Sequence, residues 1–233
     1  MRVSCILVSH DKPEWCSEAL NSIASQGHAD WECLVVDSGV LFDAGYFSTF
    51  LHEKRFQFIR SAETNELRRT KAMAPWCFNQ CFREGRVNGE LVVYLCDDDL
   101  FYPNAFKTFV EFARNNPQAK AMYGSQDLVV IREDGSRVDA GERRAVGMGG
   151  RCCRGRILDC QVDYAQMAHR RSIMSSIKGF DCLEWWPEGK ETEGHADGIF
   201  MERIGSVTPF YPIDVKVSQN RRTPKSLNCP SKC

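Results

Sequence analysis

The sequence predicts an α/β fold: a largely parallel sheet flanked by helices, in a single domain. Three observations point to it. Short apolar runs alternate with segments of helical spacing through the first half of the chain. Those runs have strand length and end abruptly in acidic or glycine-containing turns. The chain has 233 residues, 43% of them hydrophobic and 26% charged, which suits one large packed core.

Residues 3–8 form an apolar run read as a buried strand. Residues 13–26 place Trp15, Cys16, Ala19, Leu20 and Ile23 at helical spacing, and Gly27 stops the pattern. A second strand at 31–36 ends in Asp37, Ser38 and Gly39, and a short third follows at 56–60. The spacing predicts a helix over 70–84, closed by Gly85. The strongly apolar strand 91–95 runs into Cys96, Asp97, Asp98 and Asp99. Residues 104–115 carry Phe106, Phe109, Val110 and Ala113 on one helical side, and 121–123 and 128–131 read as further strands.

The second half is less regular. Residues 141–156 are rich in glycine and arginine and read as an exposed loop. Arg143, Arg144, Arg151, Arg154 and Arg156 there suit either a lid or a surface for an anionic acceptor. Residues 185–194 read as a loop, 197–204 as a helix, and the chain from 217 onwards as a polar, basic tail.

Thirty basic residues against 31 acidic ones give a net charge of −1, so stable nucleic-acid binding is not expected. No apolar run approaches the roughly 20 residues that cross a bilayer. The apolar start turns polar at Ser9, too early for a secretory signal, so a cytoplasmic location is expected. The twelve cysteines contain no C-x-x-C pair and suit free thiols in a reducing compartment. A zinc site built from Cys152, Cys153, Cys160, Cys229 and Cys233, or on the helix face of Cys77 and Cys81, is the sharper alternative.

In a parallel sheet, ligands lie beyond the carboxyl ends of the strands, which puts Asp37 and the Asp97–Asp99 cluster on one edge. Three adjacent carboxylates repel one another. A hard cation, Mn²⁺ or Mg²⁺, bridging them to phosphate oxygens would neutralise them, and a solvated turn is the alternative.

Five segments in order also resemble the family 2 glycosyltransferases of the GT-A fold. They are the opening strand and loop at 3–13, the Ser22-Ile23-Ala24-Ser25-Gln26 helix end and the strand ending at Asp37. Asn79 with the Gly89-led strand, and the Cys96–Pro103 segment that resembles a D-x-D motif, complete the set. The motif is most similar to bacterial spore-coat polysaccharide glycosyltransferases. More weakly, residues 167–181 and 195–203 resemble the segments that approach the acceptor and carry the catalytic base.

The resemblance implies inverting, metal-dependent transfer of a sugar from a nucleoside diphosphate, UDP or dTDP, to an acceptor hydroxyl. Residues 1–103 would bind the donor and 104–233 the acceptor. Ser9, Asp11, Asp37, Asn79 and Asp97 would contact the donor, Asp98 and Asp99 the metal, and Asp197 would be the general base. Trp185, Trp186, Glu191, Glu193 and His195 would face the acceptor. Each has a plainer alternative: a helix cap for Asp197 or Asp11, a turn for Asp37, packing for the tryptophans, a structural loop role for His195. The sequence departs from the family at Cys96, where many members carry Asp. No histidine follows His195, so Gln219 is a candidate for the missing metal ligand. A non-catalytic nucleotide- or sugar-binding module on the same scaffold is the alternative function. A nucleotidyltransferase fits less well, because no glycine-rich phosphate loop follows the first strand.

Overall fold

A computed structural model describes residues 1–39, 47–61, 65–145, 162–177, 185–224 and 226. The first half follows the predicted alternation: β1 (Val3–Ser9), α1 (Pro13–Ala24), β2 (Trp31–Asp37), β3 (Phe56–Arg60), α2 (Asn65–Thr70), α3 (Met73–Arg83) and β4 (Leu91–Cys96). After them come β5 (Leu100–Phe101), α4 (Ala105–Asn115), β6 (Ala121–Ile131), β7 (Arg137–Arg143), β8 (Met167–Arg170), α5 (Ala196–Val207) and β9 (Phe210–Arg222). The sheet runs β3-β2-β1-β4-β8-β6-β9-β5, with β7 paired to β6. Strands β3, β2, β1 and β4 are mutually parallel, whereas β8 pairs antiparallel with both β4 and β6. The sheet is therefore parallel in its N-terminal half, as the alternation predicts, and mixed beyond it.

Strand β1 is buried on both faces, as its largely apolar sequence requires, and the one polar side chain in its interior, Ser4, donates to Glu32 at 2.6 Å. Val3, Cys5 and Leu7 join a core with Leu20, Ile23, Phe106 and Phe109 of α1 and α4. Ile6 and Val8 join the opposite core with Phe78, Trp186 and Phe200. The cysteines at 5, 16, 33, 77, 81 and 96 are free thiols. Burial pushes Cys81 up to about 12 and Cys33 well above the usual thiol range, so these behave as small apolar side chains. The helix-face pair Cys77 and Cys81 is buried in the core, and the other proposed zinc ligands lie outside the described residues.

Four elements differ from the sequence prediction, one of them β7, which takes in residues 141–143 of the segment expected to be an exposed loop. The helix expected over 70–84 is α3, which starts three residues later, and a separate helix, α2, ends at Thr70, with the break at Lys71 and Ala72. Pro75 would both lack the N–H for residue 71 and crowd its carbonyl, whereas in the first turn of α3 it needs no donor. The strands expected at 121–123 and 128–131 are one long strand, β6, with register shifts near Tyr123 and Leu128. The polar tail from 217 is the end of β9, whose Val217 and Arg221 are fully buried. Most of the glycine- and arginine-rich segment lies outside the described residues, as does the 178–184 part of the acceptor-side resemblance. No described helix is long and apolar enough to cross a membrane.

Candidate functional site

Strands β1, β2 and β4 end together, and a cleft of 480 Å³ opens beyond them. The loop after β1 folds over the turn after β4. The His10 backbone N–H donates to Asp97 Oδ2 at 2.7 Å, and the Asp97 N–H returns to the Val8 carbonyl at 3.1 Å. Asp11 takes a positive φ of 52° in this loop and packs on Gly39, where a Cβ would come within 2.3 Å of Asp11 Oδ1. Ser38 ties the same loop to β2 by donating its N–H to the Ser9 carbonyl at 2.9 Å.

Asp97, Asp98 and Asp99 all line the cleft and are all buried. Two of them converge on one lysine and the third turns away. Asp97 Oδ1 and Asp98 Oδ2 flank the Lys12 ammonium at 3.0 and 2.8 Å. Asp98 Oδ2 also accepts from the Ser226 hydroxyl at 2.7 Å. Asp99 turns to β9, accepting from the Arg221 backbone N–H at 2.8 Å and from the Asn220 amide at 3.2 Å. Arg221, fully buried, donates its guanidinium to the Asp98 carbonyl and to Glu18, pinning the turn to α1. Burial is the largest influence on Asp97 and raises its carboxyl to about 7, against the pull of Lys12. Burial and the Asp98 charge likewise push Asp99 well above the usual range. Lys12 is raised above its ordinary value: burial opposes its charge, but Asp97 and Asp98 outweigh burial.

Among the described residues no three His, Cys, Asp or Glu side chains converge on one point. A divalent cation nonetheless suits the donor set. Mg²⁺ and Mn²⁺ are commonly held by one or two carboxylates with substrate phosphates completing the shell. The Lys12 ammonium shows that a positive charge is accommodated between Asp97 and Asp98. Asp98 would be the ligand, with Asp97 beside it. Asp99 is held by β9, so the metal role expected for it is the weaker of the two. Gln219 is not a cleft residue, whereas Asn220, the next residue on β9, lines the cleft and meets Asp99.

The far wall is built by α3, the 185–194 loop and the start of α5. Asp197 lines the cleft in the first turn of α5, where the helix dipole favours a carboxylate. The cap position itself is His195, which is exposed; Asp197 Oδ1 accepts the Gly198 N–H at 2.9 Å. Glu193 lines the cleft too, beside Lys190 at 2.6 Å. Glu191 is exposed and outside the cleft lining. Trp186 is buried and stacks on Phe200 with centroids 3.9 Å apart, a packing role at the cleft wall. Trp185 donates its indole N–H to the Met174 carbonyl at 2.8 Å and does not line the cleft.

Ser9, Asp11, Asp37 and Asn79 are not among the residues that line the cleft. Asp37 is buried at the end of β2, with the Gly39 N–H 3.4 Å from its Oδ1. Asn79 is committed to the far wall: its amide donates to the Trp186 carbonyl at 2.9 Å and to Glu188 Oε1 at 2.7 Å. Lys12, Asp163 and Glu188 escaped the sequence reading as site residues. Lys12 had a usable signal, standing in the loop that follows β1. Glu188 had none, because it sits in a segment that looks like solvated, charged chain. Arg221 stands two residues after Gln219, in the stretch where the resemblance puts a metal-shell histidine, but nothing in the sequence signals its burial.

No protein-family model matches the chain. Protein CgeD of Bacillus subtilis is 28% identical over 227 residues, covering 97% of this chain and 51% of its own length. An uncharacterized glycosyltransferase of Nostoc sp. is 22% identical over 195 residues, covering 81% of this chain and 58% of its own. The chain thus spans between half and three-fifths of these curated relatives. Among solved structures, S. aureus TarS 1-349 in complex with UDP-GlcNAc matches 100% of this chain and 61% of its own, with TM-score 0.69 at 12% identity. The mannosyltransferase PcManGT of Pyrobaculum calidifontis with GDP-Man and Mn²⁺ matches 96% of this chain and 58% of its own, with TM-score 0.60 at 14% identity. The chain thus shares the GT-A fold of these solved glycosyltransferase structures, and its sequence is similar to the two curated proteins.

Proposed function

We propose that the protein transfers a sugar from a nucleoside diphosphate donor to an acceptor hydroxyl, with inversion, in this cleft. The observation that carries the reading is that the Asp97–Asp99 turn and Asp197, a hundred residues apart in sequence, line one cleft beyond the parallel strand ends. The solved neighbours support the donor class, since two TarS structures contain UDP-GlcNAc and UDP and the mannosyltransferase GDP-Man. UDP or dTDP is favoured because Asp37, at the end of β2, suits the N3–H of a pyrimidine. Residues 1–103 then form the donor half and 104–233 the acceptor half.

In this mechanism Ser9, Asp11 and Asp37 shape the nucleoside end, and Asp97 meets the ribose or the metal. Asn79 acts through the far wall that it holds. Asp98 is the principal metal ligand and Asp99 a second one at most. A bound Mn²⁺ or Mg²⁺ supplies Lewis-acid neutralisation of the charge that grows on the departing diphosphate. Asp197 takes the proton from the acceptor hydroxyl as that oxygen attacks the anomeric carbon and the bond to the diphosphate breaks. Glu193 and Trp186 border the acceptor, with His195 and Glu191 at its outer rim. A cytoplasmic location is part of the proposal, supported by the free thiols.

Nucleoside diphosphate release from a panel of nucleotide sugars tests the reading. Asp197→Asn is expected to lose about 10²–10⁴-fold in turnover while still binding nucleotide. Full turnover in that variant would move the base elsewhere, with Glu193 next in line.

A further inference from the structure

The carboxylates that would hold the metal already hold a cation belonging to the chain. Lys12 reaches from the loop after β1 into the turn after β4 with its side chain only 14% exposed, and bridges Asp97 Oδ1 at 3.0 Å and Asp98 Oδ2 at 2.8 Å. Ser226 donates to that same Asp98 oxygen at 2.7 Å. A divalent cation bound through Asp98 needs a carboxylate lone pair at about 2.0–2.2 Å. It cannot share that approach with an ammonium, and the two positive charges repel.

We propose that Lys12 is the resident counter-ion of Asp97 and Asp98 and competes with the divalent cation for Asp98, so that metal loading and lysine release are one event. The inference rests on reading the cleft as a nucleotide-sugar site. The chemistry of lysine suits the exchange, because its ammonium is a compact charge on a flexible four-carbon stem. Once released, the ammonium remains in the cleft, where a diphosphate oxygen can accept from it. The same residue would then serve two charge states of the site, neutralising the paired carboxylates before loading and facing the donor after it.

The test is Mn²⁺ alone titrated into the nucleotide-free chain, with free Mn²⁺ followed by electron paramagnetic resonance. Lys12→Met is expected to bind Mn²⁺ about tenfold or more tightly than wild type, the scale of one charge-assisted hydrogen bond removed. Lys12→Arg should keep the wild-type affinity, and Asp98→Asn should abolish binding. Lys12→Gln, which retains a donor for one carboxylate, guards against misfolding and should tighten binding by a smaller factor. Unchanged or weaker Mn²⁺ binding in a folded Lys12→Met or Lys12→Gln protein overturns the proposal. The donor-site reading fails on a different readout: no nucleoside diphosphate stabilises the wild type with Mn²⁺ present. A Lys12→Met protein that gains Mn²⁺ affinity in that case keeps the competition and rejects the donor.

Discussion

Replacing Glu188 by alanine should loosen the far wall of the cleft and cost the protein measurable stability. Glu188 is 2% exposed. Its Oε1 accepts from the Asn79 amide at 2.7 Å and from the Arg83 guanidinium at 2.5 Å, and the Lys71 ammonium lies 3.6 Å from Oε2. Its carbonyl accepts the Ala72 N–H at 2.8 Å, at the break between α2 and α3. Arg83 and Lys71 are 33% and 29% exposed, so both regain water when the carboxylate is removed, and their share is about 1 kcal/mol. The buried bond to Asn79 adds about 1–2 kcal/mol, since that amide keeps the Trp186 carbonyl but loses its second acceptor. The total of about 2–3 kcal/mol corresponds to a fall in Tm of roughly 4–12 °C for a chain of this length. Thermal unfolding followed by circular dichroism reads it directly, with Glu188→Gln, which keeps shape and an acceptor, falling between the two. A Glu188→Ala protein melting with the wild type would refute the reasoning and make the network ornamental. The same variant should raise the acceptor KM more than the donor KM, because Glu193 and Asp197 follow this loop.

Trp186→Ala should destabilise by about 3–5 kcal/mol, with Trp186→Phe restoring much of it, because the indole packs among Phe78, Tyr94 and Phe200. Near-native stability with a raised acceptor KM would instead assign it to sugar stacking. His169 is fully buried, its Nδ1–H donating to the Arg170 carbonyl at 3.1 Å and its Nε2 accepting the Tyr94 hydroxyl at 2.7 Å. Burial lowers its pKa from 6.5 to about 4, so the folded protein keeps it neutral where the unfolded chain protonates it. Stability from this group is complete above pH 6.5 and drains away as pH falls towards 4, by about 3 kcal/mol at most. Urea unfolding at pH 7 and pH 5 should show a smaller acid loss in His169→Gln than in wild type; equal losses would remove His169 from the account.

The N-terminal half was legible because its physics is local. Largely apolar runs buried on both faces write β1, β2 and β4 into the sequence, and acidic turns end β2 and β4. Spacing alone identifies α1 and α4, whose buried residues are the ones the periodicity selects. Legibility ends where burial is polar. Arg221 is fully buried by pairing with Glu18 and the Asp98 carbonyl, over 100 residues away in sequence, so β9 reads as a basic tail. Glu188 is buried by partners on α3 for the same reason. Asp197 was located to the correct helix turn, but the cap position belongs to His195. The three aspartates read alike in sequence and differ in the fold: one faces His10 and Lys12, one Lys12 and Ser226, and one the strand β9.

The central claim is that this cleft receives a nucleoside diphosphate through Asp98. Thermal stabilisation of wild type and Asp98→Ala by UDP, dTDP, GDP and CDP, each with and without Mn²⁺, tests it most directly. The account predicts a Mn²⁺-dependent rise in Tm for a pyrimidine diphosphate in the wild type and its loss in Asp98→Ala. No rise with any nucleotide, or an equal rise in both proteins, would contradict it.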